Sequence, residues 1–180
     1  MMRNNGKVGV MVVGHREYWP QFPGSREQLI KNAEGFETLV GRFCKDVVTY
    51  TAADGTQMCD TPEESYRAGV YFKTQDVDLV FLFITTYVAS GRYMQGVLAC
   101  SAPVVVVGYQ KERDYSQMKV SDDIFGGTPC PMPEACNAMN RCLKPPVGVV
   151  FGEYYADDKF APRFETDISE WCRVADALRA

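Results

Sequence analysis

The chain has 180 residues, enough for one domain of ordinary size, and its 46% apolar and 23% charged residues are those of a globular protein. A net charge of −4 and a sequence pI of about 5.1 argue against nucleic acid or an anionic membrane as partner. No basic stripe exists that would release counterions on binding.

Residues 7–13, KVGVMVV, form a continuous apolar run ending at Gly14. Such runs suit strands buried on both faces, as in parallel sheets. This one is too short for a signal peptide, and no small-residue cleavage site follows it. No run approaches the ~18 apolar residues of a membrane span. A soluble cytoplasmic protein is therefore expected.

Over residues 25–44, Leu29, Ile30, Ala33, Phe36, Leu39, Val40 and Phe43 fall on one helical stripe, with Ser25 and Gln28 spaced as a capping box. A β-branched strand follows over 46–51. Thr61, Pro62, Glu63 and Glu64 give a strong helix start, and that helix runs to about residue 74. VDLVFLFI (77–84) reads as the third strand, 90–100 as a helix and 103–107 as the fourth strand, opened by Pro103. The polar stretch 108–131 is long for a connector and predicts a functional loop containing some helix. A helix over 133–143, a fifth strand over 146–151 and a final helix over 166–180 complete the pattern. In the last helix Thr166 would be the cap, and Ile168, Trp171, Cys172, Val174, Ala175 and Leu178 would face inward.

Strand and helix alternate about five times. This predicts one α/β domain over 1–180, a three-layer sandwich with a five-stranded parallel sheet in the order 2-1-3-4-5 and right-handed crossovers. The chain stops while its last helix is still periodic. A domain cut from a longer polypeptide would end this way, and so would a natural terminus that frays. The seven cysteines (44, 59, 100, 130, 136, 142 and 172) are odd in number and fit free thiols in a reducing compartment. Five residues separate Cys130, Cys136 and Cys142, wider than the spacing of paired zinc thiolates.

In open α/β sheets, ligands bind outside the carboxyl ends of the strands. There the sequence places Gly14-His15-Arg16-Glu17-Tyr18-Trp19-Pro20, Thr85-Thr86-Tyr87, Gly108-Tyr109-Gln110-Lys111 and Gly152-Glu153-Tyr154-Tyr155. Aromatic rings beside hydrogen-bonding groups suit a polyol, whose CH faces pack on rings and whose hydroxyls need donors and acceptors. Covering the sheet edge is the competing role for such rings. Dinucleotide, P-loop and nucleophile-elbow motifs are absent. The single histidine, His15, allows neither a two-histidine metal site nor a second imidazole base. Asp122-Asp123 is the one adjacent acid pair in an expected loop, and solvated acids explain it simply.

Residues 79–87, LVFLFITTY, followed by Tyr93-Met94-Gln95-Gly96 and Pro103, resemble the third strand, loop and helix of the L-arabinose/L-fucose isomerase family. The spacing agrees from Leu79 to Gln110, and Gly126-Gly127 is similar to that family's Gly-Gly after the fourth strand. The resemblance spans the chain at low identity and implies a flavodoxin-like N-terminal domain of an aldose–ketose isomerase. In such enzymes Mn²⁺ and the proton-shuttling glutamates belong to other domains, so no catalytic or metal residue is expected here. The N-terminal domain forms one wall of a neighbouring subunit's monosaccharide pocket in a homo-oligomer. By position that wall would comprise Arg16, Tyr18, Trp19, Tyr87, Asp122 and Phe125, with His15, Thr85 and Gln110 as secondary candidates. Arg16, Thr85, Phe125 and Thr128 depart from the family's Gln, His, His and basic residue, which leaves the sugar open between L-arabinose and a relative. Two other functions fit the same residues: a stand-alone flavodoxin-like binding or regulatory module, and a small enzyme using Asp122, Asp123, His15 and Glu17.

Overall fold

The computed structural model describes residues 5–110, 116, 124–125, 130–155 and 159–180. Asp122, Asp123, Gly126, Gly127 and Thr128 lie outside the described residues. The elements in chain order are β1 (Lys7–Val13), α1 (Ser25–Phe43), β2 (Asp46–Thr49), β3 (Met58–Cys59), α2 (Pro62–Thr74) and β4 (Leu79–Ile84). They continue with α3 (Met94–Ala99), β5 (Val104–Gln110), α4 (Pro131–Arg141), β6 (Gly148–Tyr155), β7 (Lys159–Phe160) and α5 (Pro162–Arg179).

The sheet runs β2-β1-β4-β5-β6-β7, parallel except for β6–β7, and β3 pairs the end of β1 beyond β2. Its five long strands therefore stand in the order read from the sequence, 2-1-3-4-5. The two short strands are additions. The result is an α/β sandwich of flavodoxin-like form.

The apolar runs divide between the two faces. Val8, Val10, Val12, Phe81 and Phe83 face a core shared with α1 and α5, where Phe36 stacks on Phe83 at 4.3 Å. Met11, Val13, Val80, Leu82 and Ile84 face α2, α3 and α4. β-strand alternation sends successive side chains to opposite layers, and burial of both layers is why residues 8–13 and 79–84 carry no polar side chain. On the second face α2 and α3 pack backbone to backbone. A Cβ on Gly69 would lie 2.1 Å from the carbonyl oxygen of Gly96, so this contact requires glycine.

Several boundaries differ from the sequence reading, each for a local reason. Thr61 does cap α2, its hydroxyl accepting from the Glu64 N–H at 3.2 Å. Ser25, in contrast, is not a cap. Gly24, at φ +83°, turns the chain into α1, and the Ser25 hydroxyl donates to the Phe22 carbonyl instead. α5 begins at Pro162, whose fixed φ suits the first helical position, and Thr166 donates back to the Pro162 carbonyl. In α5, Val174 and Leu178 are exposed, at 40% and 55%, rather than inward. α4 likewise starts two residues early, at Pro131. The helix expected over 90–100 is a 3₁₀ turn (Ser90–Arg92) followed by the shorter α3. β5 continues to Gln110 because Gly108, Tyr109 and Gln110 pair with Phe151, Gly152 and Glu153. Tyr109 and Tyr154, expected on loops, are consequently core residues 2% exposed.

Candidate functional site

β1 and β4 are neighbours, but the chain leaves them towards opposite faces: α1 packs in the first core and α3 in the second. This is the topological switch point, the position at the carboxyl edge where open α/β sheets bind their ligands. The loop after β1 makes a 3₁₀ turn at Arg16–Tyr18, and the loop after β4 makes another at Ser90–Arg92.

The two loops meet through an ion pair. Arg92 Nη2 donates to Glu17 Oε1 at 2.5 Å. Glu17 is held below the usual carboxylate range, first by its own backbone N–H and then by Arg92. Its other oxygen lies 3.2 Å from His15 Nδ1, a contact without hydrogen-bond alignment, so that buried nitrogen has no hydrogen-bond partner among the described residues. The His15 ring packs edge-on against Tyr18, with centroids 4.5 Å apart.

An aromatic group follows on the β4 side. Tyr18 meets Phe125 at 5.9 Å and Phe22 at 6.2 Å, and Phe22 meets Phe125 at 4.9 Å. A short antiparallel bridge joins Thr86 to Phe125, and the Tyr87 N–H donates to the Ile124 carbonyl at 3.0 Å. Tyr87 is 40% exposed. The Tyr18 phenol is pushed up by burial and then by the nearby Tyr87.

A polar knot stands on the β3 side. Asp60, directly after β3, is 2% exposed. Its Oδ1 accepts from Arg16 Nε at 3.0 Å and from Arg16 Nη2 at 2.7 Å. Its Oδ2 accepts from Trp19 Nε1 at 2.7 Å and lies 3.5 Å from Arg26 Nε. Arg26 also bonds Asp54 and the Thr56 hydroxyl. The hydrogen bonds that Arg16 donates to Asp60 hold its guanidinium above its usual pKa. Gly14 lets the knot close: a Cβ there would sit 2.7 Å from Met58 Sδ and 3.1 Å from the Trp19 ring.

The expected residues thus divide into groups. Tyr18, Tyr87 and Phe125 come together, with His15 against Tyr18. Arg16 and Trp19 turn to Asp60 instead, and Trp19 packs against the first core. Thr85 is fully buried, and its hydroxyl donates to the Val13 carbonyl at 2.8 Å. It clamps β4 to β1 and does not face a ligand, which corrects its reading as a binding residue. Gln110 lines a separate cleft of about 410 Å³ with Phe151, Arg163 and Phe164. Asp122 is outside the described residues. Asp60, Phe22 and Arg92 were not anticipated. A two-residue strand leaves no periodic signal, so Asp60 was hidden immediately before the conspicuous Thr61 cap.

Among the described residues, no three of His, Cys, Asp and Glu come together to hold a metal ion. No helix among them is long and apolar enough to cross a membrane. No protein-family model matches the chain, and no curated protein matches it significantly.

Proposed function

We propose that the chain is the N-terminal substrate-wall and assembly domain of a metal-dependent aldose–ketose isomerase of the L-arabinose/L-fucose type, working in the cytoplasm. The observation that carries the reading is the exposed Tyr87 with Tyr18 and Phe125 on one side of the switch point and Arg16 held on Asp60 on the other. Rings of this kind offer a packing surface for the CH face of a monosaccharide, and Arg16 offers donors to its hydroxyls. The wall would complete a pocket of a neighbouring subunit in a homo-oligomer. Mn²⁺ would be held, and hydrogen moved between C1 and C2, by residues outside this chain. His15 is its only imidazole, and its described acids here are engaged with arginines.

The test is turnover. The purified 180-residue chain is expected to interconvert neither L-arabinose nor L-fucose with their ketoses, with or without Mn²⁺. Turnover by the chain alone would overturn the assignment of chemistry to other domains. Should the source reading frame lack a second α/β domain carrying Glu and His ligands, the stand-alone binding module replaces the isomerase.

A further inference from the structure

We infer that Asp60 is the positioning residue of the candidate site: it holds Arg16 and Trp19 in one arrangement and thereby readies the loop after β1 for its ligand. The inference rests on the sugar-wall reading above. Asp60 touches no ligand in this account and acts through the two side chains it holds.

The geometry gives each oxygen a separate task. Oδ1 takes two donors of Arg16 and Oδ2 takes the Trp19 indole N–H. Arg16 is thereby bound along one side, while its side chain remains 57% exposed and, among the described residues, its hydrogen bonds engage Nε and Nη2 and not Nη1. An exposed arginine otherwise samples many rotamers and gives up that freedom on binding. Here the freedom has already been lost in the free chain. Charge compensation alone does not account for the arrangement. Arg26 already stands beside Asp60 and bridges onward to Asp54, tying the knot to the segment before β3. What the other two bonding partners add is an Arg16 fixed with its side chain open to solvent, and a Trp19 that anchors the loop between Asp60 and the first core. A carboxylate is needed because it only accepts, whereas an amide would present a donor to one of these donors.

The test uses the full chain, with L-arabinose and L-fucose as probes followed by NMR. Asp60→Asn is expected to weaken sugar binding at least tenfold. In an Arg16→Met, Trp19→Phe background the same change is expected to weaken it less than twofold, because the groups through which Asp60 acts are gone. Wild-type affinity in Asp60→Asn overturns the inference, as does an equal loss in both backgrounds, which would mark a merely structural role. If the wild-type chain binds neither sugar, the sugar-wall reading falls separately. The loop then decides the matter for Asp60. A slowly exchanging Arg16 Nε–H signal is expected in wild type and lost in Asp60→Asn with the sheet amides unchanged, and its persistence overturns the inference. Should Asp60→Asn fail to fold, Asp60→Glu, which keeps the charge facing Arg26 but shifts both oxygens, carries the same measurements.

Discussion

The two ends of the sheet both use arginine–carboxylate contacts, but they leave different surfaces behind. At the amino edge Asp78 accepts from the Lys7 N–H at 2.7 Å and from Arg179 Nε at 2.7 Å. Asp176 accepts from the Gly6 N–H at 2.7 Å, and Arg179 also reaches Asp76 at 2.8 Å. These bonds tie the first strand, the entry to β4 and the last helix to one another, and the Asp78 side chain is 12% exposed. At the carboxyl edge Asp60 is buried more deeply still, at 2% exposure, yet Arg16, which it holds, and Tyr87, on the loop after β4, stay open to solvent. The first edge spends its polar groups on closing the fold. The second orders groups that remain available, as the proposed binding surface requires and a structural clasp does not.

Breaking the clasp should give the largest effect on stability. Asp78→Ala removes the acceptor of two donors and is expected to cost about 2 kcal/mol in denaturant unfolding, on the scale of leaving the Lys7 N–H without its acceptor and taking from Arg179 one of its carboxylates. The Trp19 indole resonance should not move. A shift there would mean that the two edges are coupled.

On the other edge, Tyr87→Ala should do the reverse. Its ring is exposed, so the unfolding midpoint is expected to stay near wild type. Sugar affinity in the complete enzyme should fall by roughly 1–3 kcal/mol, the scale of a lost aromatic platform with its hydrogen bond. A large loss of stability without loss of affinity would assign Tyr87 to the fold.

Between the edges, on the flank of the sheet, α1 carries a carboxyl group that neither edge explains. Burial pushes Glu37 up to about 7, the Thr49 hydroxyl opposes this and Glu34 adds to it, and Glu37 Oε1 has no hydrogen-bond partner among the described residues. The folded chain therefore holds a proton that the unfolded chain releases at ordinary carboxylate pKa. The favourable contribution is complete below the ordinary value and is lost as pH rises towards 7. Glu37→Gln should remove this slope and stabilise the protein above pH 7 by about 1 kcal/mol, after allowance for screening by solvent. Parallel pH–stability curves for the two proteins would contradict it.

How much of this the sequence disclosed follows from the length scale of each signal. The runs 8–13 and 79–84 are apolar without a break, so a parallel sheet could be read directly. Thr61 with Pro62 is a local code and was legible for the same reason. Asp60 was not, because its role depends on Arg16 and Trp19, more than forty residues away, and on a strand too short to show a period. Thr85 was misread because position alone suggested a ligand contact, whereas its hydroxyl had a nearer acceptor in the Val13 carbonyl. Tyr109 was misread because a glycine before it looked like a strand end, while pairing to β6 carries β5 three residues further. Local patterns located the edge of the sheet that matters. Which side chains there are held and which are offered depended on contacts between distant segments.

The most direct test of the account is to titrate the pure chain with L-fucose and with L-arabinose at high millimolar concentration and to map the amide and indole shifts. Saturable changes confined to the loop after β1, the loop after β4 and residues 124–125 are the predicted result. Changes confined to the cleft of Gln110 and Phe164, or no saturable change with either sugar, would contradict the claim that the loops after β1 and β4 form a sugar-binding wall.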